Sequence, residues 1–228
     1  MKVLCFDLDG TLCDLWEGEM IAKFKLRTEL AKLADTPEDM VGRIYDIAWA
    51  QIKQRYMNMV ADGLGEMEIR HIHMKMVLEE LWIDEEPEKY ARLHMETMLE
   101  NMHIYPDAAQ VIEQLGEKYH ITMITNGAQD LQREKIKRLG FMEHFQEIIV
   151  SQELGYHKPS REIFDEMAKR TNTEPSEIVY IGNDYQKDIV GAHLAGWRTV
   201  WVNRNDEAAG ETEPDWTIRE LSELRGIF

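Results

Sequence analysis

Four short apolar runs rich in β-branched residues punctuate the second half of the chain. They are Ile121-Thr-Met-Ile-Thr125, Ile148-Ile-Val150, Ile178-Val-Tyr-Ile181 and Thr199-Val-Trp-Val202. Segments with helical spacing separate them, near 107–118, 129–139, 160–171 and 186–195. Strands that alternate with helices require right-handed crossovers, which build a parallel sheet with helices on both faces. Val3-Leu-Cys-Phe6 is a fifth run of the same kind, continuously apolar as expected of a strand buried on both faces. The expectation is a Rossmann-like α/β core. The polar, acidic stretch 203–215 reads as a loop before a last short strand and helix.

Between the first strand and the rest lies a block, 15–102, without any strand-like run. Thr36-Pro-Glu-Asp39 has the composition of a helix start, with Thr36 as N-cap and Pro37 at the first helical position. That helix should continue to about Ala61, where Asp62-Gly63 and Gly65 end it. Further helices at 17–34, 67–82 and 87–101 give a four-helix unit. The predicted organisation is therefore a core of 1–14 and 103–228 carrying an inserted helical unit, 15–102. Ten of the fourteen methionines lie in the insertion, where they are expected to pack its core. His71 and His73 are two apart on a helix, so they diverge and make a poor metal pair.

A formal charge of −17 argues against nucleic acid, whose phosphates demand a basic surface. No apolar stretch reaches the roughly 18 residues of a membrane helix. Asp7 and Asp9 interrupt the first apolar segment before it reaches the length of a secretory leader. Two cysteines, both beside those acids, do not form a disulfide framework. A cytoplasmic protein with no membrane partner is expected, as a monomer or a homodimer. The same negative field means that an anionic substrate needs local cations.

In an open α/β sheet, ligands bind beyond the carboxyl ends of the strands. The first strand delivers Asp7 and Asp9, which alternation places on one side and which together call for a counter-charge. The strand at 121–125 ends in Thr125-Asn126-Gly127, a hydroxyl, an amide and a flexible turn suited to an anion. Lys158 precedes Pro159 after the strand at 148–150, and Asn183, Asp184 and Asp188 follow the strand at 178–181.

These four groups, in this order, resemble the motifs of the haloacid dehalogenase superfamily, in the subgroup with a helical cap inserted after the first motif. The runs are Asp7-Leu-Asp-Gly-Thr-Leu12, Thr125-Asn-Gly127, Gly155-Tyr-His-Lys-Pro-Ser160 and Gly182-Asn-Asp-Tyr-Gln-Lys-Asp188-Ile-Val-Gly-Ala192. The resemblance implies a phosphatase acting on a small phosphorylated metabolite through an aspartyl phosphate. Asp7 would be the nucleophile and Asp9 the proton donor and acceptor. Thr125 and Asn126 would hold phosphate oxygens, and Lys158 would balance their charge. Mg²⁺ would sit among Asp7, the Asp9 carbonyl and the fourth motif. With that motif anchored on Asp188, its usual first acid falls on Asn183, and Asp184 comes one place later. Asp184 is the preferred ligand, Asn183 its competitor, and Asp188 either stands behind the metal or orients Lys158. The cap would act as a lid, with Trp16, Arg43, Trp49 and Arg55 as candidate contacts. Alternatives on the same fold are a 2-haloacid dehalogenase, a sugar-phosphate mutase and a non-catalytic protein that binds a phosphorylated ligand.

Overall fold

The computed structural model describes residues 2–140 and 142–228. Met1, which falls in the expected first core segment, and Phe141 lie outside the described residues. The chain forms two compact units. One is Leu15–His103, and the other joins the segment ending at Asp14 to Ile104–Phe228.

The second unit is built on six strands: β1 Val3–Phe6, β2 His120–Thr125, β3 Glu147–Val150, β4 Ile178–Gly182, β5 Arg198–Val202 and β6 Trp216–Ile218. All pair in parallel, in the order β3-β2-β1-β4-β5-β6. This is the doubly wound order, in which the direction of winding reverses at β1. β1 lies between β2 and β4, with Val3 opposite both His120 and Ile178, and all four of its side chains are buried. Its neighbours β2 and β4 carry the β-branched runs that favour a pleated, two-sided core. On one face Phe164, Tyr180 and Trp197 pack edge to face, with Phe164 5.4 Å from each of the other two rings.

The sheet carries α6 Ala108–Gly116, α7 Gln129–Leu139, α8 Ser151–Leu154, α9 Arg161–Arg170 and α10 Gly191–Leu194, numbered after the five helices of the other unit. The helix expected at 186–195 begins instead as a π-helical turn, Tyr185–Val190, which runs into the single turn of α10. Asp184 caps that turn by accepting from the Lys187 N–H at 2.9 Å.

The helical unit holds five helices rather than the four expected: α1 Trp16–Ala34, α2 Glu38–Lys53, α3 Tyr56–Ala61, α4 Glu66–Glu80 and α5 Pro87–Glu100. The long helix breaks at Gln54-Arg55, a polar pair that reads as good helix in the sequence. Across the break Tyr56 donates to Glu66 Oε2 at 2.5 Å and ties α3 to α4. Pro37 stands in the N-cap position, one residue earlier than its expected place inside the helix. Leu26, Leu30, Val41, Tyr45, Met74 and Val77 form the centre of an apolar core.

One polar network penetrates that unit. Arg70 is buried on α4 and bonds Glu66 Oε1 at 2.8 Å and Glu19 Oε1 at 2.5 Å. Its guanidinium also lies 4.0 Å from the Trp49 ring. His94 Nε2 is 2.9 Å from Glu19 Oε2, and Tyr45 reaches His94 Nδ1 at 2.9 Å. Burial raises the Glu19 carboxyl, but Arg70 and His94 outweigh it and bring it down to about 2. His73 stacks edge-on against Tyr45, as a packing residue should, and burial pushes it down to about 3.

Candidate active site

The backbone delivers Asp7. Its N–H donates to Ile181 O at 2.9 Å, which extends the β1–β4 pairing by one residue and puts the carboxylate at the carboxyl edge of the sheet. There Lys158 Nζ lies 2.8 Å from Asp7 Oδ1, 2.7 Å from Asp188 Oδ1 and 2.7 Å from the Tyr180 hydroxyl. An ammonium has three protons, so these contacts saturate it. Lys158, Asp188 and Asp7 are all buried. Two carboxylates thus share one cation in a low-dielectric setting. Burial and the neighbouring Asp188 push Asp7 up to about 7, against the pull of Lys158.

Lys158 is held from behind. Asn126 Nδ2 donates to Lys158 O at 2.9 Å, while Asn126 Oδ1 accepts from the Lys158 N–H at 2.9 Å. The side-chain amide expected to hold phosphate therefore clamps the lysine backbone at both of its ends. Tyr180 donates in turn to Ile124 O at 2.9 Å. The Gly127 N–H donates to Ser151 Oγ at 3.0 Å.

Asp9 has a separate counter-ion. Lys135 Nζ sits 2.8 and 2.7 Å from its two carboxylate oxygens, and Gln132 Nε2 donates to Oδ2 at 3.0 Å. Burial raises the Asp9 carboxyl, but Lys135 and Gln132 hold it below the usual range. Gln132 also reaches Thr125 Oγ1 at 2.5 Å and Asn126 O at 2.8 Å. Neither Gln132 nor Lys135 was singled out from the sequence. The signal existed: both are in phase with Leu131, Ile136 and Leu139 on the buried face of α7.

The fourth group divides its tasks. Asp188 accepts from Lys158 and, through Oδ2, from the Asp184 N–H at 2.9 Å. Asp184 turns its carboxylate to Lys187, 2.5 Å from that ammonium. Asn183 faces the first loop, where its Oδ1 accepts from Thr11 Oγ1 at 3.1 Å. A Cβ on Gly10, which has φ +80°, would fall 2.4 Å from Asn183 Nδ2. Only glycine fits there, for reasons of both backbone and space. Trp201 Nε1 donates to Asn183 O at 3.0 Å and fixes the residue's backbone.

Comparison with known proteins identifies the family. A family model described as haloacid dehalogenase-like hydrolase matches residues 4–202. A glyceraldehyde 3-phosphate phosphatase of Methanopyrus kandleri is 29% identical, over 100% of this chain and 97% of its own. A ribulose-1,5-bisphosphate 5-phosphatase of Halopiger xanaduensis is 27% identical, over 97% of each. The crystal structure of a 2-haloacid dehalogenase from Pseudomonas syringae superposes with a TM-score of 0.75 at 27% identity, over 100% of this chain and 97% of that one.

Proposed function

This chain belongs to the haloacid dehalogenase-like hydrolases, and from that membership we propose that it is a Mg²⁺-dependent phosphatase of a small phosphorylated metabolite. The observation that carries the proposal is the pair Asp7 and Asp9, two acids from one strand end that are given different cations, Lys158 and Lys135. A nucleophile and a proton shuttle need that separation, because one must attack while the other gives and takes a proton.

An Asp7 oxygen attacks phosphorus and the bond to the ester oxygen breaks. Asp9, ionised beside Lys135 in the free site, takes up the proton that the monoanionic ester brings and delivers it to that oxygen. Asp9 then takes a proton from water, whose oxygen attacks the aspartyl phosphate, and inorganic phosphate departs as the Asp7 carboxylate is restored. Thr125 Oγ1 binds a phosphate oxygen in this reading. Lys158, clamped by Asn126, holds Asp7 in line and balances the charge that builds on the phosphoryl group.

A hard cation fits the donors. The Asp7 carboxyl, pushed up to about 7, is short of positive charge, and the cluster Asp7–Lys158–Asp188 carries a formal −1. Among the described residues no three His, Cys, Asp or Glu side chains gather into a metal cluster. A mixed set therefore suits better: the Asp7 carboxylate, the Asp9 carbonyl and the Asn183 amide oxygen. This set favours Asn183 over Asp184, whose carboxylate caps the next turn. Bound there, Mg²⁺ would neutralise charge on the transferring group.

The relatives named for glyceraldehyde 3-phosphate and ribulose-1,5-bisphosphate make phosphorylated sugars the first substrates to try. The partner is then a small metabolite rather than nucleic acid or membrane. No helix of the described residues is long and apolar enough to cross a bilayer. The structural likeness to a 2-haloacid dehalogenase is the one observation that favours another chemistry. Dehalogenation needs neither a metal nor a proton donor at Asp9. The test is phosphate release from a panel of phosphorylated metabolites, with and without EDTA, by the wild type and by Asp7→Asn. Turnover should vanish with EDTA and in the variant while far-UV circular dichroism stays unchanged. Turnover that survives Asp7→Asn, or chloride release from 2-chloropropionate that resists EDTA, would refute the proposal.

A further inference from the structure

We propose that Lys135 is a positioning residue that sets the carboxylate of Asp9 for proton transfer, with Gln132 coupling that carboxylate to the phosphate-binding hydroxyl of Thr125. The inference rests on the phosphatase reading and extends it to the back of the site.

Lys135 lies in the second half of α7, and only 2% of its side chain is exposed. Burying an ammonium is costly unless it is paired and hydrogen-bonded. Both of its hydrogen bonds go to Asp9, one to each oxygen. A surface ion pair needs no such arrangement, because water would satisfy both ends. Nor does the fold require it: an apolar side chain at this position would complete the face formed by Leu131, Ile136 and Leu139.

Gln132 gives the arrangement a direction. Its Nε2 faces Asp9 Oδ2 and Asn126 O, both pure acceptors when the acid is ionised, so the amide orientation is determined by its partners. The same nitrogen lies beside Thr125 Oγ1, so its two protons serve three acceptors. The amide stands against Gly127, where a Cβ would fall 3.2 Å from Gln132 Cδ. The turn that carries Thr125 therefore admits Gln132 because it has no side chain there. Asp9 is located against the phosphate pocket by a ruler of two residues one helical turn apart, Gln132 and Lys135. Asn126 and Lys158 make a parallel clamp for the other acid, Asp7.

The experiment separates proton delivery from general damage by changing the leaving group while keeping its shape. The enzyme is assayed with Mg²⁺ on p-nitrophenyl phosphate, whose phenolate departs without a proton, and on phenyl phosphate, whose leaving oxygen depends on one. kcat/KM is compared, because it reports steps up to the first irreversible one and is blind to later hydrolysis of the aspartyl phosphate. Lys135→Met should lower kcat/KM on phenyl phosphate by about 10- to 100-fold, less than the roughly 100- to 10,000-fold that outright loss of a general acid costs, and on p-nitrophenyl phosphate by only about threefold. Asp9→Asn should show the same asymmetry, and Asp9→Asn/Lys135→Met should be no worse than Asp9→Asn alone, as expected of groups that act as one unit. Equal losses on the two esters, or losses that add in the double variant, would overturn the inference and leave the phosphatase reading standing. No turnover of either ester by the wild type would overturn both. Lys135→Gln serves if Lys135→Met does not fold. Failure of both to give a cooperative melt would assign Lys135 to stability and overturn the inference.

Discussion

Replacing Arg70 by Met tests whether the polar network of the helical unit stabilises it. The substitution keeps most of the side-chain volume and removes the charge, leaving Glu66 buried without its cation and Glu19 a third exposed without one of its two partners. Stranding one member of a buried pair typically costs about 3–5 kcal/mol, and Glu66, only 1% exposed, dominates that cost. The depression of Glu19 to about 2 adds a part that solvent screening reduces to ~1 kcal/mol. The contact with Trp49 is worth about 1 kcal/mol more. Tyr56 still donates to Glu66 and offsets some of the loss. A net loss of about 4 kcal/mol is expected, and at about 2–4 °C per kcal/mol it lowers the melting temperature by roughly 8–16 °C. Urea unfolding at pH 7, followed by far-UV circular dichroism and tryptophan fluorescence, measures it. Glu66→Gln/Arg70→Met should recover at least half, since the stranded charge is gone. The Glu19 share has a pH signature. A depressed carboxylate stabilises above its unfolded value and loses that contribution as pH falls from about 4.5 towards 2. The gap between wild type and variant should narrow over that window. A loss below about 1 kcal/mol, or a double variant no better than the single, would refute the reasoning.

Gly10→Ala should cost about 1–3 kcal/mol from its left-handed backbone alone and displace the Asn183 amide. The readouts are a thermal melt and the Mg²⁺ concentration for half-maximal phosphate release, which should rise. An unchanged requirement would remove Asn183 from the metal set. His73, pushed down to about 3 by burial, stays neutral in the fold while the unfolded chain takes up a proton below about 6.5. Stability should therefore fall from pH 6.5 towards pH 3, by up to ~1.4 kcal/mol per unit. His73→Gln should flatten that slope; parallel profiles for variant and wild type would show that His73 does not cause it.

The sheet was legible because each of its buried strands is a β-branched run too short for a helix, set between segments of helical period. Asp7 and Thr125 were legible for the same reason, since they stand where such runs stop, while Lys158 and Asp188 lie in the connections that follow the next two strands. Other site residues were hidden by the company they keep. Gln132 and Lys135 sit in Gln132-Arg-Glu-Lys135, which reads as a solvated helix face until their phase with Leu131 and Ile136 is counted. Tyr180 reads as one more apolar strand residue, yet its hydroxyl joins Lys158 to the Ile124 carbonyl. Asn126 has the right chemistry for phosphate, and only its two bonds to the Lys158 backbone reveal that it holds the lysine. The break between α2 and α3 was invisible because Lys53, Gln54 and Arg55 favour helix. Trp49, a candidate lid contact from the sequence, lies beneath Arg70.

The central place of β1 also orders events in time. The strand that leads into Asp7 is made before the other five strands of its sheet, and its partners β2 and β4 begin at His120 and Ile178, beyond the whole helical insertion. Helices that pack on near neighbours form quickly, whereas parallel pairing must wait for long loops to close. The helical unit can therefore be complete while β1 is still a bare apolar segment with two unpaired edges, the form of chain most prone to associate wrongly. Because Asp7 reaches its place only when its N–H meets Ile181 O, recovery of turnover during refolding should trail recovery of helical signal. Catalysis should be the last property this chain acquires.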